Sequence, residues 1–185
     1  KLVCILVGYV FGLISTSFII GKVKGKDIRK QGSGNLGSTN VLRSLGWSAG
    51  LLSFAGDIAK TAIAILILHF FVFPKVIFGC IILYAGLGVT LGHNFPFYLK
   101  FKGGKGIAVL LTIIMMFDWR LTIIPLILFV ISVYFTKFVS LGSLIATATV
   151  WLQLLMMPFF VKDMPDQYIE CLIVIGLLVA LAWYM

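Results

Sequence analysis

Residues 107–135 read IAVLLTIIMMF-DWR-LTIIPLILFVISVYF, and the way their centre is read decides the fold. As a single membrane helix, the stretch would carry Asp118 and Arg120 close to the bilayer midplane, where each costs about 2.5–3.5 kcal/mol on insertion scales. As two short helices, Ile107 to Phe117 and Leu121 to Phe135, it turns at Asp118-Trp119-Arg120 and leaves both charges at an interface. The second reading is energetically cheaper and raises the number of spans from six to seven.

The other runs long enough to cross a ~30 Å hydrocarbon core are Leu2 to Ile20, Trp47 to Phe71, Val76 to Leu91, Leu144 to Phe160 and Tyr168 to Met185. Composition agrees: 61% of the residues are hydrophobic and 11% charged, with a mean hydropathy of +1.14, far more apolar surface than a soluble domain can bury. The expectation is an all-α integral membrane protein, a seven-helix transmembrane bundle with short cytoplasmic active-site loops, forming one domain over residues 1–185. The first run lacks a basic leader and a small-residue cleavage site before Gly21, so it reads as a permanent span. The sequence opens at Lys1 rather than a methionine and stops at Met185, where a last helix should meet polar sequence, so both ends read as trimmed. Cys4, Cys80 and Cys171 lie in apolar runs without a close cysteine or histidine partner and read as packing residues.

With seven spans, the breaks Lys22 to Gly46, His93 to Gly106 and Thr136 to Ser143 share one side and carry ten of the fifteen Lys and Arg residues. The other side holds Lys1, Lys75, Arg120 and Lys162, balanced by Asp118, Asp163, Asp166 and Glu170. The positive-inside rule makes the basic side cytoplasmic and puts the N-terminus outside. With six spans Lys137 would leave the other basic breaks. Lys22, Lys24, Lys26 and Lys30 need only orient the protein and hold anionic headgroups of membrane lipid.

Two of the basic breaks carry chemistry. Gly32-Ser-Gly-Asn-Leu-Gly-Ser-Thr-Asn-Val-Leu-Arg43 contains a literal GxGxxG, but that spacing signals dinucleotide binding only between a strand and a helix, and here it follows a transmembrane span. What survives is the physics beneath the motif. Glycines let backbone N–H groups turn toward one point, Ser33, Asn35, Ser38, Thr39 and Asn40 add neutral donors, and Arg43 adds a planar fork suited to phosphate. The alternative is a capped re-entrant turn without a ligand. The second stretch, Gly92-His-Asn-Phe-Pro-Phe-Tyr-Leu-Lys-Phe-Lys-Gly-Gly-Lys-Gly106, again pairs glycines with cations. It is no Walker A loop, because Gly106 stands where Ser or Thr should hold magnesium, so no nucleoside triphosphate is implied. It leads into the span at Ile107 and sets the positive end of a helix dipole beside Lys102 and Lys105. In the third break, Ser143 either caps the following helix or contacts substrate.

The motif Gly-Ser-Gly-Asn-Leu-Gly-Ser-Thr-Asn-Val-Leu-Arg ending at Arg43, followed from Gly92 by Gly-His-Asn-Phe-Pro and by Phe-Lys-Gly-Gly-Lys-Gly, resembles the PlsY family of bacterial membrane glycerol-3-phosphate acyltransferases over essentially the whole chain. The resemblance implies transfer of a fatty acyl group from acyl phosphate to the 1-hydroxyl of sn-glycerol 3-phosphate, giving lysophosphatidic acid and phosphate in the bacterial inner membrane. It also implies the two short central helices. By analogy Ser33 and Arg43 are essential, and Gly103, Gly104 and Gly106, with Lys102 and Lys105, help bind glycerol 3-phosphate. Gly34, Asn35, Gly37, Thr39 and Asn40 complete the expected binding set, and His93, Lys102 and Ser143 join the expected catalytic one. Ser38 stands where the family usually has Ala, and Val109 where it often has Thr. A third family motif, a His/Asn/Glu segment beyond the last helix, would lie past Met185.

Acyl phosphate is a mixed anhydride with a good leaving group, so positioning and charge stabilisation can carry most of the rate without a covalent intermediate. The base is then either His93 or a phosphate oxygen of a substrate. Asp27 is the one carboxylate in these loops, which argues against bound magnesium, and neither a cofactor nor a nucleic-acid partner is expected. Asp57 and Lys60, three residues apart on one helical face, form either a salt bridge locking the bundle or an electrostatic support beneath the loops. The rival function is a membrane transporter for a phosphorylated solute, which explains the basic loops but usually brings internal repeats that are not seen here.

Overall fold

The structure, a computed structural model, describes residues 1–160 and 168–184. Among the described residues, seven apolar helical segments lie at the predicted places. The turn at Asp118-Trp119-Arg120 is real: helix α6 covers Ile107–Phe117 and α7 covers Arg120–Thr136, numbering helices in chain order. The Asp118 carboxylate accepts from the Arg120 backbone N–H at 3.0 Å and from its guanidinium at 2.9 Å, closing the start of α7. Hydrogen bonding to Arg120 also holds the Asp118 carboxyl below its ordinary range.

The first span differs from the expected continuous helix Leu2 to Ile20. It is broken into α1 (Leu2–Gly12) and α2 (Thr16–Val23). Ser15 is extended and its hydroxyl accepts from the Phe18 N–H, capping α2. Carbonyls released by such a break need partners in a membrane. The Tyr98 hydroxyl donates to Leu13 O at 2.6 Å, and the Lys60 ammonium donates to Ile14 O at 2.8 Å. Both partners come from segments that build the site.

Between the first and second spans lies α3 (Ser38–Leu45), a helix where a loop was expected. Leu36 and Val41 bury themselves with Ile28, Ala49 and Leu99 in a small apolar cluster that pins the segment to the bundle. Helix α4 (Trp47–Ile67) runs on through a π-turn over Leu68–Val72. Helix α5 (Phe78–Asn94) packs on α1 through glycines: a β-carbon at Gly8, Gly12, Gly88 or Gly92 would strike a backbone carbonyl of the facing helix. Small residues four apart on both helices let the two backbones touch. That contact fixes where the C-terminal end of α5, with His93 and Asn94, is presented.

The main core joins Ile81, Leu83 and Val89 of α5 to Val109, Ile113 and Ile114 of α6 and to Ile175 and Leu178 of α9 (Tyr168–Tyr184). Helix α6 is about 16 Å long, half a hydrocarbon core, and most of it is packed inside the protein, with Met115 exposed. Leu2, Leu6, Phe70, Phe71, Ile127 and Val130 are exposed and form part of an outer apolar surface suited to lipid. Helix α8 spans Val139–Phe160, five residues earlier than the expected start at Leu144, because Lys137 in a left-handed conformation (φ 60°) turns the chain with Phe138 alone. Ser143 therefore lies inside α8 and does not cap it. Lys162, Asp163 and Asp166, expected on the opposite face, lie outside the described residues.

Candidate active site

The first glycine stretch folds around Asn40. This side chain is buried, and its amide nitrogen donates to the carbonyls of Gln31 (3.0 Å), Asn35 (3.0 Å) and Ile28 (3.3 Å). Its amide oxygen accepts the Ser33 backbone N–H at 3.0 Å. Gly32 and Gly34 take positive φ values of 52° and 72° to wrap the chain about it. Asn40, expected as a ligand donor, spends its amide on the loop itself. Gly37 begins α3 in an extended conformation without a side-chain cap, so the first-turn N–H groups of Ser38 and Thr39 have no helical partner. Arg43 follows one turn later, exposed on the same helix.

The second stretch is fastened to the end of α5. The N–H groups of Gly103 and Gly104 donate to Asn94 O (3.0 Å) and His93 O (3.1 Å). The Asn94 side chain, oriented with its nitrogen toward the loop, donates to Gly104 O at 3.1 Å and Thr90 O at 3.3 Å. The N–H groups of these two glycines, expected to help bind glycerol 3-phosphate, are thus taken up by the end of α5. Their role is steric: a β-carbon at Gly103 would overlap His93 O, and one at Gly104 would overlap His93 Nε2 and lie 2.9 Å from Leu36 O. Gly104 is where the two glycine stretches meet. Gly106, with φ 72°, starts α6, and it is the first-turn N–H groups of Ile107 and Ala108 that remain without helical partners.

The two stretches and the start of α8 enclose one cavity of about 1030 Å³. Ser33, Gly34, Asn35, Gly37, Thr39, Asn40 and Arg43 line it from the first stretch. His93, Lys102, Gly103, Lys105 and Gly106 line it from the second, and Ser143 from α8. Of the expected site residues, Gly104 alone lies behind the wall rather than in it. Two helix N-termini, those of α3 and α6, open on the same cavity, and none of Arg43, Lys102 and Lys105 is paired with a carboxylate among the described residues. Uncompensated cations beside helix N-termini make an anion site. Ser143 is buried and its hydroxyl donates to Ser140 O at 2.7 Å.

Beneath the polar wall lies a buried charge cluster. The Lys60 ammonium is 2.9 Å from Asp57 Oδ1 and 2.8 Å from His93 Nδ1, and both Asp57 and Lys60 side chains are 3% exposed. Asp57 Oδ1 also accepts from the Thr16 hydroxyl at 2.9 Å. Asp57 and His93 reach the cavity surface. The salt bridge expected from the sequence is present; its contact with His93, 33 positions along the chain, left no mark in the sequence. Also unforeseen was the apolar wall formed by Leu42, Trp47, Leu51, Phe54, Phe129, Val139 and Tyr184. One signal was available for part of it, since Leu51, Phe54 and Asp57 recur at three-residue intervals along α4.

A family model described as glycerol-3-phosphate acyltransferase matches residues 2–185. A curated glycerol-3-phosphate acyltransferase of Clostridioides difficile (strain 630) is 45% identical over 144 residues, which is 75% of this chain and 69% of the relative. That of Shouchella clausii (strain KSM-K16) is 37% identical over 182 residues, covering 94% of this chain and 84% of the relative. Among solved structures, PlsY (YgiH), an integral membrane glycerol 3-phosphate acyltransferase, superposes in its glycerol 3-phosphate form with a TM-score of 0.83 at 31% identity, covering 99% of this chain and 86% of the other. Its lysophosphatidic acid form gives a TM-score of 0.81 at 30% identity over the same shares.

Proposed function

This chain belongs to the glycerol-3-phosphate acyltransferase family, and from that premise we propose that it transfers a fatty acyl group from acyl phosphate to the 1-hydroxyl of sn-glycerol 3-phosphate. The products are lysophosphatidic acid and inorganic phosphate, the first acylation of phospholipid synthesis. A single observation carries the reading: one cavity joins two helix N-termini, and cations that have no carboxylate partner among the described residues, to an apolar wall. Two phosphorylated substrates, one of them with a hydrocarbon tail, match that division of the cavity. A transporter for a phosphorylated solute would have no use for the apolar wall.

The glycerol hydroxyl attacks the acyl carbonyl carbon. A C–O ester bond forms, the C–O bond to phosphate breaks, and the electron pair leaves on the phosphate. Arg43, Lys102 and Lys105 hold the two phosphoryl groups, with the first-turn N–H groups of α3 and α6. Ser33, Gly34, Asn35, Gly37 and Thr39 shape and line the pocket, and Ser143 closes it from α8. The hydroxyl proton passes to a phosphate oxygen of a substrate. Histidine is the poorer base here, because the Lys60 ammonium already occupies His93 Nδ1. One transmembrane domain over residues 1–185 carries the site, which faces the cytoplasm of a bacterial inner membrane, in keeping with the positive charge of its loops.

The test is equilibrium binding of labelled glycerol 3-phosphate to the full-length protein in lipid nanodiscs. Binding competed by inorganic phosphate and weakened about tenfold or more by Arg43→Ala and by Lys105→Ala is expected. Binding indifferent to both substitutions would remove the cavity from the reaction.

A further inference from the structure

Lys60 has three ammonium hydrogens and three acceptors at hydrogen-bond distance: Ile14 O at 2.8 Å, Asp57 Oδ1 at 2.9 Å and His93 Nδ1 at 2.8 Å. A protonated Lys60 can only donate, which makes His93 Nδ1 the acceptor and puts the hydrogen of the neutral ring on Nε2. That second nitrogen lies against Gly104, in the space a β-carbon there would fill, beside the loop that ends at Gly106. His93 is also part of the cavity wall. We infer that Lys60 is a positioning residue for acyl transfer: by occupying His93 Nδ1 it fixes Nε2–H as a hydrogen-bond donor to the phosphoryl group held by the Gly103–Gly106 loop.

The inference rests on the reading of that loop as a phosphate site. It assigns separate tasks to the three buried side chains. Asp57, held by the Thr16 hydroxyl, keeps the ammonium charged and in place. Lys60 sets the tautomer, and His93 touches the substrate. The break between α1 and α2 belongs to the same device, because Ile14 O is free for Lys60 only where the helix is interrupted. A lysine that merely locked the bundle would gain as much from two carboxylate oxygens; it would not need a ring nitrogen that reaches the cavity.

The experiment is 15N NMR of the full-length protein labelled at histidine, in lipid nanodiscs. Residues 1–185 hold two histidines, and the signals that disappear in His93→Gln are those of His93. Around neutral pH the expected state of His93 is an unprotonated Nδ1 and a protonated Nε2. The Nδ1–H tautomer or an imidazolium at His93 in the unmodified protein would overturn the inference. A kinetic cycle gives the second readout: Lys60→Met should cost about tenfold or more in turnover alone, yet change turnover by no more than about twofold once His93 is Ala. Losses that multiply would mean that Lys60 acts as a structural brace. Asp57→Asn/Lys60→Met, which removes both charges together, serves where the single variant does not fold, and should likewise be silent in the His93→Ala background. Absence of acyl transfer in the unmodified protein would count against the proposed reaction and leave the tautomer result intact, so the two ideas fail separately.

Discussion

Asn40 Oδ1 accepts the backbone N–H of Ser33 at 3.0 Å, so a buried amide on α3 places the serine that faces the cavity. The same amide gathers three carbonyls of the loop. Asn40→Ala should strand those buried groups at about 1–3 kcal/mol and displace Ser33, lowering turnover more than Thr39→Ala does. Asn40→Asp keeps the acceptor but loses the donors, and is expected to be as damaging. Denaturation midpoints and turnover of the three variants check this; equal activity of Asn40→Ala and Thr39→Ala would refute the hub role.

Gly104 tolerates no side chain, because a β-carbon would overlap His93 Nε2 and crowd Leu36 O at 2.9 Å. Gly104→Ala should push the two glycine stretches apart and cost about 10²-fold in turnover, whereas Gly25→Ala, at a glycine with open space around it but a left-handed φ of 67°, should cost about 1–2 kcal/mol of local backbone strain and leave turnover nearly unchanged. Both glycines sit on the basic face, so the pair separates steric fit from general loop perturbation. Measured initial rates showing the reverse order would falsify the close-approach account.

Arg43 offers a planar fork to a phosphate, and lysine cannot reproduce it. Arg43→Lys is therefore expected to lower kcat/KM by about 10- to 10²-fold while leaving thermal stability unchanged, since Arg43 is exposed and has no ion-pair partner among the described residues. Full activity in the lysine variant would show that only charge, not geometry, matters at this position.

Leu51 and Phe54 line the apolar wall from α4. Phe54→Ala should raise the KM for the acyl donor and leave that for glycerol 3-phosphate within about twofold, because the lost contact is worth about 1–3 kcal/mol of apolar burial. A change confined to glycerol 3-phosphate would place the tail elsewhere.

How legible was this in the sequence? The turn between α6 and α7 could be read because Asp118 and Arg120 are expensive in hydrocarbon, and cost is visible in composition. The basic faces and both glycine stretches were visible for the same reason. The break in the first span was not, since Ile14, Ser15 and Thr16 are all acceptable inside a membrane helix and the partners that pay for the break, Lys60 and Tyr98, lie far along the chain. Helix α3 was read as loop because its apolar residues are few, although glycines at both ends, Gly37 and Gly46, are ordinary helix punctuation. The early start of α8 depended on one left-handed residue, Lys137, that no residue preference announces. The candidate site residues were therefore legible as residue types in the basic breaks, while what holds them, Asn40 in one case and the His93–Lys60 contact in the other, is tertiary.

The proposed reaction brings an acyl phosphate and glycerol 3-phosphate together in a single cavity. It is tested most directly by supplying the full-length protein in lipid nanodiscs with glycerol 3-phosphate and acyl phosphate, acyl-CoA or neither, and measuring lysophosphatidic acid and inorganic phosphate together. Equal amounts of the two products with acyl phosphate, and neither product with the other two, is the predicted result. Lysophosphatidic acid formed from acyl-CoA alone, or none formed from acyl phosphate, would contradict it.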